Sequence, residues 1–580
     1  MGTLHEHRGA HVISRRPERQ AGGARRVYDA IVVGTGITGG WAAKELTEAG
    51  LDTLVLEAGP MIVPERDYVE HVPPYEKPFR GRGDRRAGQA RQAVQSRCYA
   101  CDEGGSKFFV DDVDNPYTTP EDRPFDWIRG RQVGGKSIMW ARQSYRLSDV
   151  DFGAPERDGF GIDWPLRYDE LEPWYDYVEG FAGISGQNEG LPQLPDGQFL
   201  PPMPMNCVES HVADALRANW SDRVMTPGRT AVLTQAHNGR AACHYCGPCH
   251  RGCITRSYFS SLNATLPVAE ATGNMTLRPN SVVRQVDWRD GKATGVTVID
   301  REGHDEVEFR ARVVILAAST LESTRILLNS ANGEFPAGMA NSSDALGRHL
   351  MDHTMSVGAA GAFDGWENET YFGRRPNGVY IPRFRNLADQ RADYIRGYGY
   401  QGSAYRSDWN RGNSSPGFGA DFKKQMTQPG GWRMSIGAWG ECLPYAENRA
   451  TVDPNVTDAW GIPALRIDMQ WRDNELVMQQ DAAQQAAEML EAAGAKDVVM
   501  QTAGTPPGLC IHEMGTARMG RDASSSVLNG FNQTWDVPNL FVVDGAAMTT
   551  SACQNPSLTY MALTARACDH IVGRLKRFEL

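Results

Sequence analysis

The chain has 580 residues, a net charge of −11 and 41% hydrophobic residues. A chain of this length exceeds what one compact core usually holds, so two or more lobes are expected. The balance of 60 basic against 71 acidic residues argues against nucleic acid as a partner. No apolar run reaches about 18 residues, which argues against a transmembrane segment.

Residues 1–26 are polar and rich in arginine, and they lack the apolar stretch of a secretory signal. They are predicted to form a disordered arm. The adjacent Arg15 and Arg16 suggest a twin-arginine signal, but no hydrophobic stretch follows them before the first strand. We therefore expect a cytoplasmic protein, or a periplasmic one that is exported together with a signal-bearing partner subunit.

The first ordered element is a short β-branched run, YDAIVV at 28–33, which is typical of a buried strand. A glycine-rich loop, a helical pattern and a second strand follow it. Gly34, Gly36 and Gly39 form the G-x-G-x-x-G pattern that lets a backbone loop approach a pyrophosphate. Glu57 ends the second strand, where a carboxylate can accept ribose hydroxyls and would repel a 2′-phosphate. The pattern predicts a dinucleotide site and does not distinguish FAD from NAD.

A cysteine-rich segment lies near the middle of the chain. Its four cysteines have C-x2-C-x2-C-x3-C spacing: Cys243, Cys246, Cys249 and Cys253. This is the bacterial ferredoxin spacing without its trailing proline, so it favours an iron–sulfur cluster. Zinc is the main alternative because His244 and His250 interleave, and free thiols or disulfides are the others. Cys98 and Cys101 form a second C-x2-C pair, which is weak evidence for any site.

The stretch 397–410 is dense in aromatic and hydrogen-bonding residues. Flat apolar faces with polar neighbours suit a sugar ring, so this stretch is a candidate for substrate contact. An aromatic-rich core strand explains the same pattern equally well.

Four further segments resemble conserved motifs of the glucose-methanol-choline (GMC) oxidoreductase family. They are RGRQVGGKSIMWA (129–141), RVVILAASTLESTRILLNS (312–330), HEMGTARMG (512–520) and NLFVVDGAAMTTSACQNPSLTYMA (539–562). With the glycine-rich loop they span nearly the whole chain in the family's order. The resemblance implies FAD as the cofactor.

The implied fold is α/β: a Rossmann-like FAD-binding domain with an inserted α+β substrate domain, which has a large mixed or antiparallel sheet backed by helices. The FAD-binding domain is expected to comprise residues 27–200, 262–350 and 505–580. The cysteine segment takes 201–261, and the substrate domain takes 351–504.

The resemblance also implies roles for individual residues. His512 matches the family's catalytic base, and Asn555 matches a second active-site position that orients the substrate hydroxyl. The other residues that the resemblance places at the cofactor are Gly134, Gly135, Ser137, Met139, Trp140, Val283, Asp544 and Gly545. Met139 stands where some relatives carry a flavin-linked histidine, so non-covalent FAD is expected. His353 is interpreted as a packing residue.

Resemblance to gluconate, pyranose and glucoside dehydrogenases points to oxidation of a sugar or glycoside hydroxyl, with C3 as the proposed carbon. Electrons are expected to pass through the iron–sulfur cluster to a cytochrome c or a quinone-linked protein, with a small subunit as a further partner. The alternatives are an oxidase that uses O2, with cysteines that bind zinc or no metal, and a non-catalytic flavoprotein.

Overall fold

The fold is described from a computed structural model for residues 26–77, 80, 83–371, 373–387, 390–391, 393–408, 411–412 and 415–580. The predicted arm lies outside these residues except for Arg26, whose guanidinium pairs with Asp52 at 2.8 Å. Among the described helices, none has the length and apolarity that a membrane crossing requires.

The secondary structure of the described residues alternates between strands and helices. The strands are β1 (Val27–Val33), β2 (Thr53–Leu56), β3 (Thr226–Pro227), β4 (Met275–Arg278), β5 (Ser281–Arg289), β6 (Lys292–Asp300), β7 (Glu306–Leu316), β8 (Thr354–Phe363), β9 (Val379–Ile381), β10 (Tyr398–Arg406), β11 (Trp432–Gly440), β12 (Arg449–Thr457), β13 (Pro463–Asp468), β14 (Lys496–Gln501) and β15 (Leu540–Val542). The helices are α1 (Ile37–Glu48), α2 (Pro64–Asp67), α3 (Arg85–Arg91), α4 (Asp149–Phe152), α5 (Ala154–Asp158), α6 (Tyr168–Ala182), α7 (Cys207–Asn219), α8 (Thr265–Ala271), α9 (Thr320–Asn329), α10 (Gly419–Met426), α11 (Asp473–Ala492) and α12 (Ser557–Lys576).

The first sheet has seven strands in the order β4-β2-β1-β7-β6-β5, with β15 also paired to β7. Strands β4, β2, β1, β7 and β15 run parallel, whereas β5, β6 and β7 form an antiparallel meander. Ala30 of β1 pairs with Thr53 on one side and Val313 on the other. Helices α1, α8 and α12 pack together beside this sheet, and the apolar second half of β1, Ala30 to Val33, is buried on both faces. The predicted Rossmann-like arrangement is confirmed.

The second sheet is antiparallel, in the order β14-β8-β11-β10-β9-β3. In β11 every second residue is buried, from Trp432 through Met434 and Ile436 to Ala438. Helix α11 covers this apolar face together with α7, and it buries residues spaced by one helical turn, such as Met478 and Ala482. A helix-backed antiparallel sheet was predicted for the second lobe and is confirmed.

The predicted domain boundaries remain a prediction. The strands of the first sheet lie within 27–56, 275–316 and 540–542, and most strands of the second lie within 351–504. Strand β3 comes from the cysteine segment and pairs with β9. A separate two-stranded sheet, β12-β13, contacts α9 beside the first sheet.

Candidate active site

A cavity of about 520 Å³ lies between the two sheets, and both contribute to its wall. The first sheet contributes the loop after β1 and the end of β2. The second contributes Met355 of β8, Gln401 of β10 and Trp439 of β11. Because polar groups converge in this largely enclosed space, it is the natural place for a cofactor and a substrate.

The glycine-rich loop forms one end of the cavity. Gly34 has a φ of +102°, and a Cβ there would lie 2.4 Å from the carbonyl oxygen of Ala317. A Cβ on Gly39 would lie 2.0 Å from the carbonyl oxygen of Gly34, so Gly39 allows α1 to pack closely and does not itself line the cavity. Gly36 precedes α1 and lines the cavity, with no atom within 4 Å of the position of its absent Cβ. An open cradle at a helix N-terminus fits a pyrophosphate.

Glu57 is buried at the end of β2 and lines the same cavity. One of its carboxylate oxygens accepts hydrogen bonds from the Thr35 amide at 3.1 Å and the Thr35 hydroxyl at 2.5 Å. The other accepts from the Gly59 amide at 3.1 Å. Burial raises the pKa of Glu57, and these bonds oppose that rise. The second oxygen retains a further lone pair, so Glu57 can shape the loop and still accept from a ribose hydroxyl.

The loop predicted to face the flavin ring crosses the middle of the cavity. Gly134 and Gly135 both have positive φ, and a short 3₁₀ turn, Gly135–Ile138, follows. The cavity-lining residues of this loop are Gly135, Lys136, Ser137, Met139, Trp140, Ala141 and Arg142. Gly134 lies behind the wall, where its amide donates to the Thr35 hydroxyl at 3.0 Å. The loop is thus tied to the dinucleotide end of the site.

Val283 and Gly545 line the cavity, as does Asp544. The Asp544 carboxylate accepts hydrogen bonds from the Ser323 hydroxyl and, at 3.0 Å, from the Ala546 amide. Burial raises the pKa of Asp544 to about 6. Every residue that the sequence placed at the cofactor therefore lines the cavity, except Gly39 and Gly134, which support its wall.

His512 lines the same cavity, and its contacts define its tautomer. His353 Nε2 lies 3.2 Å from the Ser551 carbonyl oxygen and 2.9 Å from that of Ala552, so this nitrogen must carry a proton. His353 Nδ1 is then an acceptor, and it lies 2.8 Å from His512 Nδ1. His512 must therefore donate from Nδ1, which leaves Nε2 unprotonated.

Asn555 lies at the unprotonated side of His512, with its Nδ2 3.4 Å from His512 Nε2. Gln401 Nε2 donates to Asn555 Oδ1 at 2.6 Å, which orients the amide so that its NH2 faces His512. The structure thus brings the two predicted catalytic residues together.

The surroundings of His512 keep its ring neutral. Burial lowers the pKa of His512 well below its usual 6.5, and His353 and Lys136 add to this effect. Burial also lowers the pKa of His353 to about 4. Asp352 accepts from the His512 amide at 3.1 Å, and burial followed by repulsion from Glu513 raises its pKa to about 7. A neutral imidazole is the form that can accept a proton.

Several residues at the site were missed by sequence reasoning. His353 was interpreted as a packing residue, but it contacts His512 directly. Gln401 falls in the aromatic stretch that was considered for substrate contact. Tyr398 and Tyr400 of that stretch are buried in the core of the second lobe, so for them the core-strand interpretation was right. The strand's alternation points Gln401 to the opposite face, toward the cavity.

The cysteine segment packs behind the flavin loop. Cys253 is buried, Cys243 and Cys249 are half-buried, and Cys246 is exposed. The first three pack with Tyr258, whose hydroxyl donates to the Ile138 carbonyl at 2.6 Å. None of the four forms a disulfide with another described cysteine, and burial raises the pKa of both Cys243 and Cys246 to about 11.

A second contact joins this segment to the cavity. Tyr99 lines the cavity, and its ring lies 5.9 Å from that of His250, edge to face. His250 Nε2 lies 2.8 Å from an Asp102 carboxylate oxygen, which also pairs with Arg251. Cys98 lies close by but belongs to a different apolar cluster, with Tyr68 and Phe108 among others.

Comparison with known proteins identifies the family. Two models described as GMC oxidoreductase match residues 28–355 and 444–564. The chain belongs to the GMC oxidoreductase family. It is therefore an oxidoreductase of a family that binds FAD, and the cradle at Gly36, the acceptor Glu57 and the shared cavity fit that cofactor.

Relatives of this GMC oxidoreductase match it along nearly its whole length. The 2-methyl-1,2-propanediol dehydrogenase of Mycolicibacterium austroafricanum is 32% identical, over 94% of this chain and 95% of its own. The fructose dehydrogenase large subunit of Gluconobacter japonicus is 28% identical, over 95% and 98% respectively. Among solved structures, pyridoxine 4-oxidase from Mesorbium loti superposes with a TM-score of 0.57 at 17% identity, and the match covers 93% of this chain and 98% of that one. This last similarity shows the fold alone.

Proposed function

We propose that this GMC oxidoreductase oxidises a ring hydroxyl of a sugar or glycoside, at C3, to a keto-sugar. The observation that carries this proposal is the hydrogen-bond chain that leaves His512 Nε2 unprotonated and beside Asn555, in the cavity that the dinucleotide loop enters. Such an arrangement is suited to remove the proton of a hydroxyl group while a hydride leaves the carbon that bears that hydroxyl.

In this mechanism each residue has one task. Asn555, fixed by Gln401, holds the substrate oxygen through its NH2 group. His512 accepts the hydroxyl proton at Nε2, and His353 keeps the His512 ring in the correct tautomer and accepts a hydrogen bond from Nδ1. FAD, when bound, supplies the hydride acceptor. Burial of His512 and Asn555 in the cavity wall strengthens these polar interactions.

Two observations support a sugar over a small apolar alcohol. Trp140 and Trp439 line the same cavity as His512 and Gln401, and they offer it flat aromatic side chains beside the polar groups. A sugar ring offers an apolar face and a rim of hydroxyls that match such a surface. One relative, the fructose dehydrogenase large subunit, is named for a sugar, whereas the relative named for 2-methyl-1,2-propanediol indicates a simpler diol as the competing substrate class.

We further propose that the four clustered cysteines hold an iron–sulfur group that passes electrons singly to a cytochrome c or a quinone-linked protein, with a small subunit as partner. The C-x2-C-x2-C-x3-C spacing in the sequence, which is that of bacterial ferredoxins, supports a cluster over zinc.

The flavin is proposed to be non-covalent, because Met139 lines the cavity where a linking histidine would be required. Denaturation followed by filtration should therefore release all of the flavin into the filtrate. Flavin that stays with the precipitated chain would contradict this proposal.

The central experiment compares wild-type protein with His512→Ala and His512→Gln in a dye-linked screen of sugars, glycosides and diols. Loss of the base should lower kcat about 100-fold to 10,000-fold while FAD absorption is retained. Turnover of sugars by wild type and its loss in both variants supports the proposal. Full activity in either variant, or turnover confined to diols, contradicts it.

Iron and acid-labile sulfide assays on anaerobically purified protein test the acceptor. About three to four irons per chain, lost on Cys249→Ser, would support the cluster. Stoichiometric zinc, or rapid O2 consumption by an iron-free protein, would favour the oxidase alternative. The identity of the electron acceptor bears on whether the protein is cytoplasmic or periplasmic. Fractionation of the native cells tests this location directly.

A further inference from the structure

Lys136 and Glu513 form an ion pair in the wall of the cofactor cavity. The Lys136 ammonium nitrogen lies 3.0 Å from Glu513 Oε2, and both residues line the cavity. The Glu513 side chain is 3% exposed and that of Lys136 is 25% exposed. The mechanism described above uses neither side chain.

The pair is held from both sides. The Glu513 carbonyl accepts from the Thr320 hydroxyl at 2.6 Å, and Lys136 belongs to the 3₁₀ turn that follows Gly135. Glu513 Oε1 is buried and has no hydrogen-bond partner within the described structure. A buried acceptor without a hydrogen-bond donor destabilises the folded state. This carboxylate is therefore suited to accept a hydrogen bond from a group bound in the cavity.

A cation in the cavity wall suits the chemistry of the site. Oxidation of the hydroxyl would send its proton to His512 and a hydride, with both electrons of the C–H bond, to the acceptor. The acceptor would then gain one negative charge while His512 gains one positive charge. A fixed ammonium in the wall of a partly buried cavity stabilises a negative charge on the acceptor more than it would in bulk solvent.

We propose that Lys136, positioned by Glu513, sets the reduction potential of the bound flavin. The ammonium stabilises the reduced, negatively charged state of the flavin. Glu513 weakens this stabilisation because its negative charge makes the ion pair neutral overall. This inference rests on FAD binding, which characterises the family, and does not depend on which alcohol is oxidised.

The test measures the potential of the bound flavin by equilibration with reference dyes, without any substrate. K136M is expected to lower the equilibrium constant for two-electron reduction at least tenfold, which corresponds to about 30 mV. E513Q leaves the ammonium unneutralised and is expected to raise the same constant at least tenfold. The double variant K136M/E513Q restores a neutral pair and should return to within about threefold of wild type.

Two control variants separate the effect of the positive charge of Lys136 from the effect of a changed side chain. K136R keeps the positive charge and should stay within about threefold of wild type. K496M removes an exposed lysine of β14 that pairs with Asp364 and does not line the cavity, and it should leave the potential unchanged. Potentials that do not move, or that move in the same direction in K136M and E513Q, would overturn the inference. If K136M loses its flavin, E513Q alone still reports the sign, because its equilibrium constant should lie at least tenfold above that of wild type.

Because no substrate is present, an enzyme inactive on every sugar would still give this result. Failure of the proposed function and failure of this inference are therefore distinguishable.

Discussion

At the scale of single residues, the site depends on one proton whose position is fixed by two carbonyl groups. The Ser551 and Ala552 carbonyls require a proton on His353 Nε2, and this in turn requires one on His512 Nδ1. A chain of hydrogen bonds thus leaves His512 Nε2 without a proton. This protonation state does not change with the pH of the solution near neutrality.

A variant of His353 tests this chain. His353→Phe keeps a ring in the same space but removes the acceptor, so the His512 ring loses its tautomer control and its orientation. We expect kcat to fall about 100-fold with FAD retained. His570→Phe is the matched control, because His570 stacks on Phe531 and should tolerate the change. An unaltered kcat in His353→Phe would show that its hydrogen bond is not needed.

Asp352 predicts a pH dependence of the rate. Its pKa is raised to about 7, so the carboxylate is protonated below that pH and ionised above it. The ionised form lies next to His512 and stabilises the imidazolium that forms during proton transfer, so kcat/KM should rise as pH passes through about 7. Asp352→Asn should remove this inflection. A profile of unchanged shape in the variant would assign the inflection to another group.

Asp352 also affects stability, with the opposite sign. A carboxyl whose pKa is raised on folding contributes stability below its ordinary value, and this contribution is lost as pH rises through the folded value. Wild type should therefore lose stability between about pH 4 and 7 relative to Asp352→Asn. Thermal unfolding of both proteins across that range measures the difference.

At the scale of elements, the glycines of the loop between β1 and α1 have two different structural roles. Gly34 and Gly39 lack side chains because backbone atoms occupy the space, whereas the missing side chain of Gly36 leaves space for a ligand. The three glycines of one motif therefore respond differently to substitution.

Gly36→Ala should fold normally, because its φ of −63° suits any residue and no atom lies within 4 Å of the new methyl group. The methyl would enter the space of the pyrophosphate, so we expect FAD affinity to fall at least about tenfold. Titration of the apoprotein with FAD measures this loss. Gly180→Ala, in α6 and equally open, is the control, and it should leave FAD affinity unchanged. Equal affinities in wild type and Gly36→Ala would place the phosphates elsewhere.

At the scale of the whole molecule, the two lobes meet at the cofactor. Gly34 and Glu57 come from the first sheet, and Gln401 and Trp439 come from the second, yet all line one cavity. A ligand that bridges two lobes stabilises the folded state of both.

FAD should therefore raise the melting temperature of the whole protein. At a free concentration of about 100 times Kd, binding contributes about 2.7 kcal/mol to the free energy of unfolding. Removal of FAD should lower Tm, and added FAD should restore it in a saturable way, with both lobes unfolding in one transition. A second transition that does not respond to FAD would show that the substrate lobe is stabilised independently.

The sequence by itself indicated the dinucleotide loop from a local pattern, and the resemblance of its motifs to the family implied the fold class and the proposed catalytic pair. The strand-loop-helix unit ending at Glu57 and the motif that contains His512 consist of residues close together in the chain. The antiparallel second lobe was also expected, from the resemblance to the family.

Only the tertiary structure revealed the contacts between distant segments. His353 lies 159 residues from His512, and Lys136 lies 377 residues from Glu513, yet each pair is in hydrogen-bond contact. Such contacts have no local pattern, since they arise where separate strands and loops converge on one cavity. Tyr398 is buried in the core, whereas Gln401, three residues further along the same strand, lines the cavity. The two side chains differ in this way because alternate residues of a strand face opposite sides of the sheet.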